Sequence, residues 1–344
     1  MTAELKQTIK DMVVVGKGIL AADESVKTAT KRLASINVES TEETRRQYRN
    51  LILTAPGIEK YICGVILFEE TLKQKTNSGV LFPEHLAKVG VVPGIKVDQG
   101  LTELEGTQSE QYTKGLDGLG DRLEEYKKMG TRFTKWRAVY SISENIPSDL
   151  IIKRNAEDLA KYAKISQEHN FVPIVEPEVL IDGNHSIDTC YKVTEKVLKE
   201  VFEDLKKENV IIECMILKPS MVISGKQAEN RAPVEEVAVK TVKVLKATVP
   251  PELPSINFLS GGQTPEEATA HLNKMHTLGE DLSWYLSFSY ARALQGPALK
   301  AWQGKDENIK AAQEAFLQRA KLNSLATKGE YSEDMEKEEQ IKEV

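Results

Sequence analysis

Residues 172–219 read VPIVEPEVLIDGNHSIDTCYKVTEKVLKEVFEDLKKENVIIECMILKP: a short apolar run, a long amphipathic segment and a second short apolar run. This pattern predicts a strand at Val172–Glu176, a helix at Ser186–Lys207 and a strand at Glu213–Lys218. Both predicted strands are almost continuously apolar up to their last residue, as parallel strands covered on both faces are. The stretch is therefore predicted to form one β-α-β unit of a parallel sheet.

The same alternation extends over most of the chain. Six further strands are predicted, at Gly18–Asp23, Gly64–Glu69, Gly94–Asp98, Phe133–Tyr140, Ile256–Ser260 and Leu286–Ser289. Further helices are predicted at Thr41–Leu53, Ser148–His169, Pro233–Thr248 and Pro265–Leu278. Eight strand–helix units favour an α/β fold, a single-domain (β/α)8 TIM barrel. An open doubly wound sheet is the alternative, weakened because no G-x-G-x-x-G motif follows a strand.

The composition is that of a globular protein with a sizeable core. The chain has 344 residues, a formal net charge of -6, 40% hydrophobic residues and 28% charged residues. Mild acidity without a basic block argues against a nucleic-acid partner. No apolar run approaches the ~18 residues of a membrane span, and Met12–Ala22 lacks the features of a signal peptide. The sequence therefore predicts no membrane association and a cytoplasmic location, with Cys63, Cys190 and Cys214 as reduced thiols.

The last part of the chain has a different composition from the rest. Residues 328–344 contain seven acidic residues and three lysines, with almost no apolar side chains. Such a segment buries too little apolar surface to fold by itself. We therefore predict a barrel domain at residues 1–327 and a charged, mobile tail at residues 328–344.

A lysine ends the sixth predicted strand, whose sequence is Cys214-Met215-Ile216-Leu217-Lys218-Pro219. In (β/α)8 barrels the active site is built at the carboxyl ends of the strands. Burial there disfavours the ammonium form of a lysine and favours a neutral, nucleophilic amine. The alternative is that Lys218 extends along the strand end into water and has no chemical role.

Other strand ends carry cations at the same mouth. Because side chains alternate along a strand, Lys135 and Arg137 share one face, and so do Lys96 and Asp98. Cations gathered at a barrel mouth suit a phosphorylated substrate, and a second cation beside Lys218 would further favour its neutral form. Either pair alone would be read as solvated charge, but together with Lys218 they indicate a site.

Acidic residues end two more strands. Glu176 and Glu178 share a face at the end of the fifth, and Asp23 ends the first. Carboxylates at these positions are candidates for proton transfer and for holding a lysine in place. The histidines form no H-E-x-x-H motif and no cluster with cysteine, so no metal site and no cofactor is predicted.

A glycine turn after the seventh strand is a candidate anion site. Ser260-Gly261-Gly262 precedes a predicted helix, so its backbone N–H groups can point at a phosphate. Ser289 and Arg292, from the eighth strand and the residues after it, lie where TIM barrels often bind phosphate. The alternative is an ordinary tight turn.

As a set, these residues resemble class I fructose-1,6-bisphosphate aldolase, and the resemblance covers nearly the whole chain. It rests on the segments GILAADES (18–25), GVILFEET (64–71), PGIKVD (93–98), KWRA (135–138), VPIVEPE (172–178), LKP (217–219), FLSGGQ (258–263) and SFSY (287–290). The resemblance implies cleavage of fructose 1,6-bisphosphate to dihydroxyacetone phosphate and glyceraldehyde 3-phosphate in glycolysis and gluconeogenesis. It also implies sugar phosphates as ligands and a homotetramer.

The resemblance also implies a role for each candidate residue. Lys218 would form the Schiff base, Glu176 would act as acid and base, and Lys135, Asp23 and Glu178 would assist. One phosphate would be held by Ser260, Gly261, Gly262, Ser289 and Arg292, and the other end of the substrate would lie near Arg32, Ser25, Lys96 and Arg137.

The chain departs from the family pattern at two points. Animal-type members end in a tyrosine implicated in protonating the enamine, whereas this chain ends in Val344 and carries Tyr331 as its one tail tyrosine. The family's Thr-Gly-Ser after Ser25 is replaced by Val26-Lys27-Thr28. Two alternatives therefore remain. One is another lysine-dependent sugar-phosphate aldolase or transaldolase, and the other is a non-catalytic scaffold protein that kept the barrel.

Overall fold

The eight predicted strands close into a parallel barrel. The computed structural model describes residues 2–337. Its strands are β1 Gly18–Ala22, β2 Ile62–Leu67, β3 Val92–Lys96, β4 Leu101–Glu103, β5 Gln111–Thr113, β6 Phe133–Tyr140, β7 Val172–Val179, β8 Ile216–Leu217, β9 Ser255–Phe258 and β10 Tyr285–Tyr290. The barrel order is β1-β10-β9-β8-β7-β6-β3-β2, and β1 pairs with both β10 and β2. Closure confirms the TIM barrel and makes the open-sheet alternative wrong.

Helices surround the barrel. They are α1 Thr2–Met12, α2 Val26–Ala34, α3 Glu42–Leu53, α4 Glu69–Lys73, α5 Phe82–Lys88, α6 Leu119–Lys128, α7 Asp149–Glu168, α8 Ile187–Lys207, α9 Val234–Thr248, α10 Pro265–His276, α11 Arg292–Trp302 and α12 Ile309–Ala326. All five predicted helices are present, with ends within two residues of the prediction. Four of the five begin at a hydroxyl cap: Thr41, Ser148, Ser186 and Thr264 each accept a hydrogen bond from the first turn of the helix.

Two local features differ from the sequence prediction. The strand predicted at Glu213–Lys218 is reduced to Ile216–Leu217, because Ile212–Cys214 forms a 3₁₀ turn. The antiparallel hairpin of β4 and β5 was not predicted, since each strand has three residues and these are mostly exposed or half-buried. Such short segments have no hydrophobic period that a sequence pattern can reveal.

The core has an inner and an outer part. The outer part lies between barrel and helices, whereas the inner part fills the barrel with side chains such as Ile19, Phe133 and Ile216. Leu5 and Met12 of α1 join the inner part, so this helix closes one end of the barrel. Gly94 makes room for the Phe133 ring in the inner part, because a Cβ at position 94 would lie 2.3 Å from that ring. The opposite end is left open for a site.

The chain continues past residue 327 along α10. The backbone N–H of Tyr331 donates to Asn273 of α10, and its hydroxyl donates to Glu336 over 2.9 Å. Glu336 in turn pairs with Arg319 of α12, and the Tyr331 side chain is buried. These contacts connect residues 328–337 to α10 and α12, and the mobility of residues 328–344 stays a prediction. Residues 338–344 of the predicted tail lie outside the described residues.

Candidate active site

The alternation of side chains along three neighbouring strands brings charged groups to the open end of the barrel. Each strand places an apolar residue inside the barrel and a charged residue two positions later, so the charged residue shares the inner face. The apolar residues are Phe133, Ile174 and Ile216, and the charged ones are Lys135, Glu176 and Lys218. The backbone N–H of Lys218 donates to Val175 of β7 over 2.8 Å, which anchors it just beyond the short β8.

These residues form one buried cluster with Asp23. Lys135 Nζ lies 2.6 Å from Asp23 Oδ2, 3.2 Å from Glu176 Oε2 and 4.0 Å from Asp98 Oδ2. Lys218 Nζ lies 3.2 Å from the other oxygen of Glu176. The two lysines are each 3% exposed and Glu176 is 4% exposed. One buried carboxylate is therefore shared by two lysines, of which Lys135 has two further acidic neighbours.

The ionisation of this cluster follows from its charges. Burial by itself would raise the pKa of the Asp23 carboxyl, but the charges of Lys135 and Lys218 outweigh burial and hold it well below its usual 3.8. The pKa of Glu176 is lowered for the same reasons. Burial would lower the pKa of Lys135, yet Asp23 and Glu176 raise it far above 10.5. At neutral pH the cluster therefore contains carboxylate Glu176 and ammonium Lys135.

A cavity of about 1180 Å³ opens above the cluster. It is lined by thirteen of the fourteen predicted site residues: Asp23, Ser25, Arg32, Lys96, Lys135, Arg137, Glu176, Glu178, Lys218, Ser260, Gly261, Ser289 and Arg292. The fourteenth, Gly262, lies just behind the lining, where a Cβ would come within 3.6 Å of Arg292 Nη2. The cavity is thus large enough for a small phosphorylated metabolite.

The glycine turn lies on one side of the cavity. Gly261 and Gly262 have φ values of +50° and +82°, a conformation that suits glycine, and α10 begins three residues later. Ser289 is 1% exposed, and its Oγ has no hydrogen-bond partner within residues 2–337. A buried hydroxyl without a partner beside an arginine and a helix start indicates room for an anion.

The remaining predicted cations lie elsewhere on the cavity wall. Lys96 Nζ lies 2.6 Å from Asp98, and Arg137 pairs with Glu178. Glu178 was predicted to assist a lysine, but in the described structure its ion pair is with Arg137. Ser25 caps α2 by accepting a hydrogen bond from the Thr28 N–H.

Some cavity residues were missed by the sequence prediction. Lys31 and Ser35 line the cavity from α2 and the residue after it, and Glu24 lines it from the end of β1. The signal was present in the sequence: Ser25 is a good N-cap, and Lys31 follows Lys27 by one helical turn. Tyr331 is not among the residues that line the cavity.

Residues 2–337 contain neither a metal-binding cluster nor a membrane-spanning helix. No group of three or more His, Cys, Asp or Glu side chains there has the arrangement of a metal site. No helix within the same residues combines the length and the apolar content that crossing a membrane requires.

Comparison with known proteins shows which family the chain resembles. The family model described as fructose-bisphosphate aldolase class-I, glycolytic, matches residues 4–344. A probable class 1 fructose-bisphosphate aldolase of Xanthomonas axonopodis pv. citri is 54% identical over 95% of this chain and 98% of its own length. A cytosolic fructose-bisphosphate aldolase of Arabidopsis thaliana is 54% identical over 93% of this chain and 81% of its own.

A solved structure shares both fold and sequence. The fructose-bisphosphate aldolase of Plasmodium falciparum, solved in a complex with TRAP and a small-molecule inhibitor, matches with a TM-score of 0.94 and 49% identity. The match covers 96% of this chain and 95% of that one. The barrel and its mouth thus define a carbon–carbon lyase on a (β/α)8 scaffold. The chain belongs to the class I fructose-bisphosphate aldolase family.

Proposed function

We propose that the chain cleaves fructose 1,6-bisphosphate reversibly to dihydroxyacetone phosphate and glyceraldehyde 3-phosphate through a Schiff base on Lys218. One observation carries the choice of lysine. Lys135 and Lys218 are equally buried and both touch Glu176, but Lys135 is also held by Asp23 at 2.6 Å, which keeps it charged. A charged amine cannot attack a carbonyl, which supports Lys218, the lysine with fewer acidic contacts, as the nucleophile.

The remaining groups have roles that follow from the chemistry. Lys218 adds to the C2 ketone and water leaves, which gives a protonated imine. Carboxylate Glu176 takes the C4 hydroxyl proton as the C3–C4 bond breaks, and the imine accepts the electron pair as an enamine. Protonation at C3 and hydrolysis of the imine then release dihydroxyacetone phosphate. Lys135 and Asp23 keep Glu176 ionised and in place.

The two phosphates occupy opposite walls of the cavity in this proposal. Ser260, Gly261, Gly262, Ser289 and Arg292 hold one, while Ser25, Arg32, Lys96 and Arg137 face the other end. The buried Ser289 hydroxyl without a partner supports the first site.

Borohydride reduction in the presence of dihydroxyacetone phosphate, followed by peptide mapping, tests the proposal. We expect the reduced triose adduct on Lys218. Lys218→Arg should abolish both labelling and cleavage, because a guanidinium stays protonated. Lys135→Arg keeps the charge and serves as the matched control, in which Lys218 should still be labelled. An adduct on Lys135, or none, would refute the assignment, and intact labelling without cleavage of the bisphosphate would favour another sugar-phosphate aldolase.

Assembly and location complete the proposal. The family resemblance supports a homotetramer, and sedimentation equilibrium should give four times the mass of one chain. A cytosolic location is supported by the Arabidopsis thaliana relatives named cytosolic, although another Arabidopsis thaliana relative is named chloroplastic. Cell fractionation with an activity assay tests it: activity sedimenting with membranes or organelles would count against a cytosolic protein.

A further inference from the structure

A buried carboxylate lies directly behind Arg32. Glu24 follows β1, is 7% exposed as a residue, and forms ion pairs with both Arg32 and Arg49. Its first oxygen contacts Arg32, and its second lies 2.7 Å from Arg49 Nη1. Two guanidinium groups therefore share one carboxylate, and the group of three has a net charge of +1.

The two arginines occupy different environments. Arg32 lines the cavity and its side chain is 16% exposed. Arg49, on α3, is 4% exposed, does not line the cavity, and has Glu24 as its one ion-pair partner among residues 2–337. A buried cation is costly unless it is paired, and Glu24 provides that pairing for Arg49.

Neighbouring side chains hold this group in one arrangement. Gln295 of α11 donates to Glu24 Oε1 over 3.1 Å and to the carbonyl of Ala21 over 2.5 Å. The Tyr48 hydroxyl donates to Gln295 over 2.6 Å, and Arg49 lies over the Tyr48 ring at 5.4 Å. Glu24 is thus fixed from α3 and α11, and it cannot turn away from Arg32.

We infer that Arg49 is a positioning residue that decides substrate preference: it balances the charge of Glu24, so that Arg32 presents a positive charge to the distal phosphate of a bisphosphate substrate. Without Arg49, Glu24 and Arg32 would form a neutral pair, which attracts a phosphate dianion weakly. Arg49 thereby separates bisphosphate from monophosphate substrates without touching either. The inference rests on the proposed function, in which Arg32 lies at the distal end of the substrate.

The test is the ratio of KM for fructose 1,6-bisphosphate to KM for fructose 1-phosphate, which lacks the distal phosphate. Arg49→Met removes the charge but keeps much of the volume, and we expect it to raise the ratio about tenfold. The kcat on fructose 1-phosphate should stay unchanged. Arg49→Lys restores the charge and should restore the ratio, although it cannot reproduce the planar guanidinium contacts.

Two further variants distinguish the effect of losing the Arg49 charge from a general effect of disturbing the structure. Arg45→Met on the same helix α3 breaks the ion pair with Glu70, away from Glu24, and should leave the ratio unchanged. Combining Arg32→Met with Arg49→Met should change the ratio no more than Arg32→Met does, because Arg49 acts through Arg32. Thermal unfolding of each variant identifies those that fail to fold.

The results distinguish failure of the inference about Arg49 from failure of the proposed function. An unchanged ratio in folded Arg49→Met overturns the inference while the Schiff base on Lys218 stands. If Arg49→Met does not fold, Arg49→Gln, which also removes the charge, takes its place: a raised ratio supports the inference and an unchanged ratio overturns it. If Arg32→Met itself leaves the ratio unchanged, then the distal site is misplaced and the inference falls with it.

Discussion

Lys135 and Lys218 differ in their partners rather than in their burial. Both lie within 3.2 Å of Glu176, and only Lys135 contacts Asp23 in the described structure. A lysine with more acidic neighbours is held as a cation and can assist only through its charge. The difference between the two lysines therefore comes from distances of a few ångströms between side chains at the ends of β1, β6, β7 and β8.

Lys135→Met should move the acid limb of the pH profile. Burial raises the pKa of Glu176, and Lys135 is the first of the charges that outweigh burial. Without Lys135 the pKa of Glu176 rises, so the base is protonated at higher pH, and activity is lost earlier as pH falls. We expect the acid limb of kcat/KM to shift upward by about one pH unit or more.

The control for this variant is Lys96→Met, in which the lost cation lies in the same cavity but pairs with Asp98. Its KM should rise, while its acid limb stays near that of the unmodified chain. A folded Lys135→Met protein with an unshifted acid limb would show that Glu176 is not the base.

The segment after α12 carries Tyr331, the one tyrosine of the charged tail. In the described structure Tyr331 donates to Asn273 of α10 and to Glu336, and Glu336 pairs with Arg319 of α12. Burial and the hydrogen bond with Glu336 raise the pKa of the Tyr331 hydroxyl. A tyrosine that lies outside the cavity and whose hydroxyl is hydrogen-bonded to a carboxylate is poorly suited to protonate an enamine.

Tyr331→Phe should therefore leave catalysis intact. We expect the rate of proton exchange at C3 of dihydroxyacetone phosphate to change by less than about twofold. Stability should fall by about 1 kcal/mol, the usual cost of one lost hydrogen bond. Glu336→Gln keeps the hydroxyl and weakens the same contact, but it also removes the ion pair with Arg319 and should therefore cost more stability. A hundredfold loss of exchange in Tyr331→Phe alone would place the tail in the active site.

At the scale of the molecule, the two ends of the barrel differ: one is closed and the other is open. Helix α1 fills one end with Leu5 and Met12, and the other end opens into the cavity lined by charged side chains. The acidic residues of that cavity are paired with lysine and arginine, as in the contacts of Asp23, Asp98 and Glu178. Charge compensation at the mouth is therefore provided by the protein's own cations.

Removal of divalent metals should leave the activity of the chain unchanged within about twofold, because an imine on Lys218 accepts the electrons that a metal ion would otherwise stabilise. Dialysis against EDTA, followed by the cleavage assay with and without added zinc, measures this. Loss of activity on dialysis and recovery with zinc would mean that the electron acceptor has been misidentified.

The sequence by itself determined the barrel and most of its mouth. Apolar runs of strand length mark all eight barrel strands, and their two-residue period already places Lys135 with Arg137 and Glu176 with Glu178. Hydroxyl residues such as Ser186 mark the helix starts. These features are local, because periodicity and capping depend on residues a few positions apart.

Only the tertiary structure decided which charges meet. The contact of Lys135 with Asp23 joins β6 to the end of β1, and the contact of Glu24 with Arg49 joins that end to α3. The contact of Tyr331 with Asn273 of α10 likewise joins distant parts of the chain. Such contacts depend on strand register and on how the barrel closes. Neither follows from the pattern of any one segment, because residues far apart in the chain meet only when the whole barrel is packed.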